Sequence, residues 1–114
     1  MENKNLINVD YFKKSYYRAL LPLDEINDLL QQFEERELEA VTQTIISLFD
    51  TAVTTTILNT LETLETKQEF LRLAQDDYSS PAIFDFLTDL FPGSEELIKQ
   101  TLERILLSAK KAIM

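Results

Sequence analysis

The chain has 114 residues, of which 45% are hydrophobic, and a formal net charge of −9 at pH 7. This length indicates one domain, and the apolar content is enough for a modest core. Cysteine and histidine are both absent, which excludes disulfides, thiolate zinc sites, cysteine nucleophiles and Ser-His-Asp triads, and removes the usual titrating switch near neutral pH.

The low content of helix breakers predicts the fold class. The sequence has one glycine and three prolines among many leucine, glutamate, glutamine and lysine residues, a composition that favours long helices over sheet. No stretch shows the strict apolar/polar alternation of a strand. We therefore predict an all-α fold, a compact bundle of about five helices with a long central helix, formed by a single helical domain over residues 1–114. The expected helices cover residues 9–20, 23–62, 66–76, 81–91 and 94–113.

The first predicted helix, residues 9–20, is amphipathic. Val9, Phe12, Tyr16 and Leu20 recur at spacings of three and four, which places them on one helical face. We interpret this helix as a flap packed on the core, and a basic segment lying on a membrane surface is the alternative.

Neither end of the sequence suggests export or membrane insertion. The first residues lack the basic region followed by an apolar stretch that marks a secretory signal. The longest apolar runs are a few residues, whereas a transmembrane helix needs about 20. We expect a cytoplasmic protein with no membrane span.

The second predicted helix raises a problem of length. No glycine or proline interrupts residues 23–62, and a straight helix of about 40 residues would span ~60 Å. A domain of this size has a diameter of roughly 35 Å, so the helix must either break or protrude and be covered by another chain. The apolar stripe lapses at residues 34–37, and Asp50-Thr51 offers a second candidate break. Because neither site contains a breaker, we expect a continuous or gently bent helix.

Capping residues mark the starts of the last three helices. The third begins near Thr63 or Thr66, and Thr66 has capping-box spacing with Glu69. Ser80-Pro81 is a strong start signal for the fourth helix. That helix is apolar around most of its circumference, so we expect it at the centre of the core. Ser94 is expected to cap the fifth helix.

Few residues in the sequence suggest a catalytic or ligand-binding role. The glutamate clusters, the threonines of the long helix and the tyrosines are interpreted as solvated helix faces and core edges, with the tyrosine hydroxyls in water. Tyrosines as interface anchors are the alternative. We expect no catalytic, cofactor-binding or metal-binding residues and no cofactor.

The negative charge is concentrated in the middle of the chain. Residues 19–93 carry a net charge of −12, whereas residues 1–18 carry +2 and residues 94–114 carry +1. Such a surface repels phosphate backbones, so direct nucleic-acid binding is not expected.

Three stretches of the sequence carry a resemblance to a known family. They are Val9–Lys14 with Leu21–Glu25 and Leu29–Leu30, then Leu64–Phe70 ending in Leu73, and then Pro81–Leu87 followed by Phe91–Ile98 and a lysine-containing final helix. Together they resemble a family of short, uncharacterised helical proteins, catalogued as a domain of unknown function and best known from candidate-phyla bacteria. The resemblance implies an all-helical fold and a bacterial origin, and it implies no catalytic residues.

Three functional hypotheses follow. The leading one is a non-enzymatic protein–protein interaction module that self-associates as a homo-oligomer through its long helix. The second is an acidic inhibitor or mimic that binds a basic protein surface, and the third, ranked well below, is an enzyme whose pocket unites carboxylates and tyrosines. The candidate interaction surface consists of Glu34, Glu35, Glu37, Val41, Ile45, Leu48 and Ala52.

Overall fold

Five α-helices form the structure, a computed structural model that describes residues 14–113 except the side chain of Ile113. They are α1 (Leu23–Leu30), α2 (Leu38–Thr60), α3 (Leu64–Asp76), α4 (Pro81–Leu90) and α5 (Ser94–Ile113), with single 3-10 turns at Arg18–Leu20 and Glu35–Glu37. No strand occurs in the described range. The predicted all-α bundle with one long helix is confirmed.

The predicted helix over residues 9–20 is wrong for the part that the structure describes, which is not α-helical. Residues 9–13 lie outside the described residues, residues 15–17 form a bend and a turn, and Arg18–Leu20 is a single 3-10 turn. Tyr16 and Tyr17 are both buried, with exposures of 5% and 2%. Consecutive residues of an α-helix point about 100° apart, so a non-helical backbone allows both rings to enter the same core.

The predicted continuous helix over residues 23–62 is also wrong, because it ends at Leu30 and restarts at Glu35. After α1 the backbone forms a tighter turn, in which Phe33 N–H donates to Leu30 O, three residues earlier, at 3.1 Å. Glu34 is extended, with φ −73° and ψ 153°. Its N–H donates to the Glu37 carboxylate at 3.0 Å, and Glu37 N–H donates to Glu34 O at 2.8 Å. Glutamate side-chain capping therefore makes the break without glycine or proline.

At the second candidate break the helix continues. Asp50 and Thr51 lie within α2, which runs unbroken to Thr60. The Asp50 carboxylate accepts hydrogen bonds from tyrosines on other segments, so it does not act as a helix cap.

The core is centred on α2 and α5, which share the most extensive interface between helices. The end of α5 lies beside the start of α2, because Ala109 and Ala112 line the same groove as Val41, so the two helices are antiparallel. Their buried residues are Thr42, Ile45, Phe49, Val53 and Ile57 on α2, and Ser94, Ile98, Thr101, Leu102 and Leu106 on α5. The central position predicted for α4 is wrong, since this short helix fully buries only Ile83 and Leu87.

The cap of α4 agrees with the sequence prediction, whereas the caps predicted for α3 and α5 differ from it. Ser80 Oγ accepts from Ala82 N–H at 3.1 Å, as predicted. Thr63 rather than Thr66 caps α3, accepting from Thr66 N–H at 3.1 Å. The cap predicted at Ser94 is wrong, because its Oγ is buried without a hydrogen-bond partner. Leu97 N–H donates to Gly93 O at 3.0 Å, so Ser94 lies inside the first turn.

One helix within residues 14–113 is long and apolar enough to cross a membrane by length and composition alone. It runs over the 26 residues from Glu35 to Thr60, and 28% of its apolar window is buried within the structure. A core helix of a globular protein passes the same test, so this single helix is weak evidence for a membrane span.

Candidate functional site

Some residues of the interaction surface predicted on the long helix are exposed to solvent, and others are buried in the core. Glu34, Glu35 and Glu37 are exposed at its start. Val41 and Ala52 are half-buried, and Ile45 is a core residue with 4% exposure. Leu48 is 45% exposed although it is a large apolar side chain. The predicted set therefore contains one strongly exposed apolar residue, Leu48.

Leu48 lies at the edge of an apolar groove between α1, α2 and α5. The groove has a volume of about 330 Å³ and is lined by Leu29, Phe33, Ala40, Val41, Thr44, Ile45, Leu48, Ala109 and Ala112. We call this feature the apolar groove. It unites Val41, Ile45 and Leu48 from the predicted surface, whereas Ala52 and the three glutamates are not among its lining residues.

Local sequence explains why this groove stays open. The break after α1 lets the chain turn, so that Phe33 lies beside Val41 at the start of α2. Opposite them, α5 presents Ala109 and Ala112, whose side chains are too small to fill the space between helices that pack 8–10 Å apart, as is typical. The result is a concave apolar surface whose lining includes the exposed Leu48.

The charges nearest the groove have both signs. Lys110 Nζ on α5 lies 3.7 Å from the Glu25 carboxylate on α1, and both side chains are substantially exposed. Arg36 Nε lies 2.8 Å from the Glu34 carboxylate at the start of the long helix. Exposed ion pairs contribute little to stability, about 0–1 kcal/mol, so these pairs affect the electrostatic rim of the groove more than the fold.

A second feature, which is polar and was not predicted from the sequence, lies at Asp50 on α2. Tyr17 and Tyr78 both donate hydrogen bonds to the same oxygen, Oδ1 of Asp50, and the Tyr78 bond measures 3.0 Å. We call Tyr16, Tyr17, Tyr78 and Asp50 the tyrosine cluster. The predicted exposure of the tyrosine hydroxyls to water is wrong for Tyr16 and Tyr17, which are buried.

Aromatic contacts hold the rings of the tyrosine cluster edge to face. The Tyr16 ring centroid lies 5.2 Å from that of Tyr17, 5.4 Å from that of Tyr78 and 6.2 Å from that of Phe70. These T-shaped pairs contribute about 0.5–1.5 kcal/mol each beyond their burial. Arg18 adds a tether, since its Nη1 donates to the carbonyls of Ser15 at 2.9 Å and Ser79 at 2.8 Å. The segment before α1 is thereby fixed to α2, α3 and the α3–α4 loop.

Burial raises the pKa of each phenol in this cluster above its usual value. Loss of solvation is the main cause for Tyr16, Tyr17 and Tyr78, and the negative charge of Asp50 adds to it. A neutral phenol is therefore strongly favoured in the folded state. Within the cluster, Tyr17 and Tyr78 are neutral hydrogen-bond donors to one carboxylate, whereas Tyr16 contributes ring contacts.

The sequence contains a signal for this cluster. Asp50 is the one charged residue between Glu39 and Glu62. A lone carboxylate in the middle of a mostly apolar helix requires partners when it is withdrawn from water. That spacing identifies Asp50, although it does not identify the tyrosines that bind it, which are 33 and 28 residues away in sequence.

A small, partly open cavity adjoins the tyrosine cluster. Its volume is about 40 Å³, and its lining comprises Lys14, Ser15, Tyr17, Leu21, Ile46, Phe49, Asp50 and Tyr78. We call it the polar cavity. Ser15 Oγ and the Tyr16 hydroxyl are buried without hydrogen-bond partners. The volume suits a few water-sized molecules rather than an organic substrate.

Comparison with protein-family models, with curated proteins and with solved structures finds no match to this chain. The resemblance drawn from helix caps and apolar positions therefore stays a prediction. Functional inference depends on the apolar groove and the tyrosine cluster themselves.

Proposed function

We propose that this chain is a non-enzymatic protein-interaction module that self-associates through the apolar groove. The observation that carries the proposal is Leu48, which is 45% exposed beside a groove whose lining is apolar except for Thr44. Removing apolar surface from water contributes about 25 cal/mol per Å². A concave apolar surface of this kind is typical of an interaction site.

A second copy of the chain is the occupant that fits this surface. A two-fold interface uses the same patch on both subunits, so the patch must be complementary to itself. Each copy presents Leu48, an exposed leucine among the residues that line the groove, together with the small side chains of Ala109 and Ala112. Leu48 of each copy can therefore enter the groove of the other.

Charge favours an antiparallel arrangement of the two α2 helices. Each copy has a net charge of −9, and Glu34, Glu35 and Glu37 cluster at the start of the long helix. An antiparallel arrangement keeps the two acidic helix starts apart, whereas a parallel one would bring them together. Added salt screens the remaining repulsion, so self-association should strengthen or stay constant as salt rises.

The small size of the apolar groove predicts that two copies of the chain associate weakly. Nine residues line it, whereas a stable interface of standard size involves roughly 20–30 residues on each side. We therefore expect a reversible monomer–dimer equilibrium, which is detectable at tens of micromolar and above.

Sedimentation velocity over a concentration series tests the proposal with a matched pair of variants. Leu48→Glu introduces a charge beside the groove and should abolish dimers. Leu107→Glu introduces the same charge at a leucine of α5 that is 53% exposed and does not line the groove, and it should leave the equilibrium unchanged. Circular dichroism checks that both variants remain helical.

Two results would contradict self-association: a strict monomer at tens of micromolar, or equal loss of dimer in both variants. The competing acidic-inhibitor hypothesis rests on the net charge of −12 over residues 19–93. It predicts capture of a basic protein with an affinity that falls steeply with salt. That dependence is opposite in sign to the one expected for two copies of this acidic chain.

A further inference from the structure

The bend between α1 and α2 consists of residues that favour a helix. Residues 31–37 read Gln-Gln-Phe-Glu-Glu-Arg-Glu, without glycine, proline or a β-branched side chain. All of these residue types except phenylalanine are strong helix formers. Phe33 is half-buried, and the other six residues are exposed. We call residues 31–37 the hinge, a segment whose sequence favours a continuous helix although the structure bends there.

Exposed hydrogen bonds stabilise the bent hinge. Glu34 has an extended backbone with ψ 153°, whereas Gln31 and Glu37 on either side have helical angles. The Glu34 N–H donates to the Glu37 carboxylate at 3.0 Å. A continuous helix would instead direct this N–H to Leu30 O, four residues earlier. The bent and straight forms of the hinge therefore differ by a side-chain cap on one side and backbone hydrogen bonds on the other.

A straight hinge does not fit within one chain. A single helix over residues 23–60 would span ~57 Å, whereas the long axis of the structure is 48 Å. Straightening would also remove α1 from the core and expose Ile26, Leu29 and Leu30, each of which is now at most 4% exposed. These apolar side chains would then need cover from a second chain.

A second copy of this chain can supply that cover with contacts that the structure already contains. When two copies straighten at the hinge, α1 of each can pack on α2 and α5 of the other, and the same residues are buried as in one copy. Because the hinge alone changes, such exchange is a low-cost route to a dimer. We propose that the hinge allows α1, together with the segment before it, to exchange between two copies of this chain.

The exchanged dimer differs in its rates from a dimer held by the apolar groove. Before α1 can exchange, it must expose Ile26, Leu29 and Leu30 together, so the exchanged dimer forms and separates slowly. A groove dimer involves few residues and should separate soon after dilution. The exchanged dimer can form whether or not the apolar groove binds a second copy.

A locked hinge tests the proposal. Refolding from urea at hundreds of micromolar, followed by dilution and immediate size-exclusion chromatography, isolates a slowly separating dimer. Glu35→Pro should abolish this dimer, because proline fits the first helical position and keeps the preceding Glu34 extended. Leu64→Pro is the matched control, since it places proline after the extended Thr63 at the start of α3. It should leave the dimer fraction unchanged.

A weakened cap should have the opposite effect. Glu37→Ala removes the acceptor of the Glu34 N–H and introduces the strongest helix former. Loss of a side-chain cap of this kind weakens the bent form roughly fivefold, so the fraction of slowly separating dimer should rise. Glu37→Gln keeps an oxygen acceptor and should behave as the wild type does.

The ion pair between Lys110 and Glu25 reports which copy supplies α1. Their side chains lie 3.7 Å apart, on α5 and α1, so a carbodiimide can join them through an amide. Isotope-labelled and unlabelled chains are refolded together in equal amounts, and mass spectrometry reads the cross-linked peptides of the dimer fraction. Exchange predicts that half of the Lys110–Glu25 cross-links combine both isotopes.

Four results would overturn the exchange of α1. They are cross-links within one isotope only, absence of a slowly separating dimer, an equal dimer fraction in Glu35→Pro and the wild type, and no increase of that fraction in Glu37→Ala.

Discussion

At the scale of single residues, Asp50 shows how one carboxylate organises distant parts of the chain. It lies within α2, and the tyrosines that donate to it come from the segment before α1 and from the α3–α4 loop. Hydrogen bonds to an ionised acceptor contribute about 1.5–3 kcal/mol. The same low-polarity surroundings that strengthen these bonds oppose ionisation of the phenols.

Alkaline titration tests this arrangement. Burial is the main cause that raises the pKa of Tyr16, Tyr17 and Tyr78 above the unfolded value of about 10, and interactions with Asp50 and with the neighbouring phenols add to it. Their contribution to stability is therefore complete below about pH 10 and is lost as the pH rises beyond it. We expect phenolate absorbance to appear in one cooperative step, together with loss of helical circular dichroism.

A variant that lacks Tyr11 makes the alkaline titration easier to interpret. Tyr11 is the fourth tyrosine of the chain and lies outside the described residues, so Tyr11→Phe removes its signal. If the other three phenols ionise gradually near pH 10 while the helices remain intact, the buried cluster does not exist in solution.

At the scale of helices, capping residues determine which helix boundaries can be predicted from the sequence. Ser80-Pro81 was predicted correctly because serine and proline mark a helix start through well-understood backbone geometry. Residues 34–37 are one of two candidate breaks in the sequence, but glutamate is a strong helix former, so the sequence favours a continuous helix there. The side chain of Glu37 nevertheless accepts a hydrogen bond from the backbone N–H of Glu34 at 3.0 Å.

The cap of α3 gives a quantitative prediction. Thr63 Oγ1 accepts from Thr66 N–H at 3.1 Å, so Thr63→Ala should lower the free energy of unfolding by about 1 kcal/mol. Thr60→Ala is the control, because Thr60 Oγ1 donates to Thr56 O inside α2 at 2.8 Å. That bond adds little to the helix, and the control should change stability by less than about 0.5 kcal/mol. Urea denaturation measures both, and equal destabilisation would show that Thr63 is not the cap.

At the scale of the whole molecule, dimensions explain why the long helix had to break. The structure measures 48 × 26 × 20 Å, and the helix of 26 residues from Glu35 to Thr60 spans ~39 Å. A helix extended back to residue 23 would exceed the long axis. The length of an uninterrupted helix over residues 23–62 predicts this conflict, although a continuous or gently bent helix was expected rather than a break.

The candidate sites are only partly predictable from the sequence, because they depend on contacts between segments that are far apart in the chain. Leu48 could be identified from its place on a helix with apolar residues along its length, and it is exposed. The opposite wall of the groove, Ala109 and Ala112, depends on the antiparallel pairing of α2 and α5. The tyrosine cluster depends on contacts across 28 and 33 residues, which helical periodicity does not encode.

Intermolecular paramagnetic relaxation enhancement tests the self-association account most directly. The chain has no cysteine, so Ser47→Cys, at an exposed position next to Leu48, gives a single spin-label site. Labelled protein mixed with an isotope-labelled, diamagnetic second copy should broaden amide signals around Val41, Leu48 and Ala109 of that copy, and leave those around Leu64 sharp. Absence of intermolecular broadening at hundreds of micromolar, or broadening centred away from the apolar groove, would contradict the proposed interface.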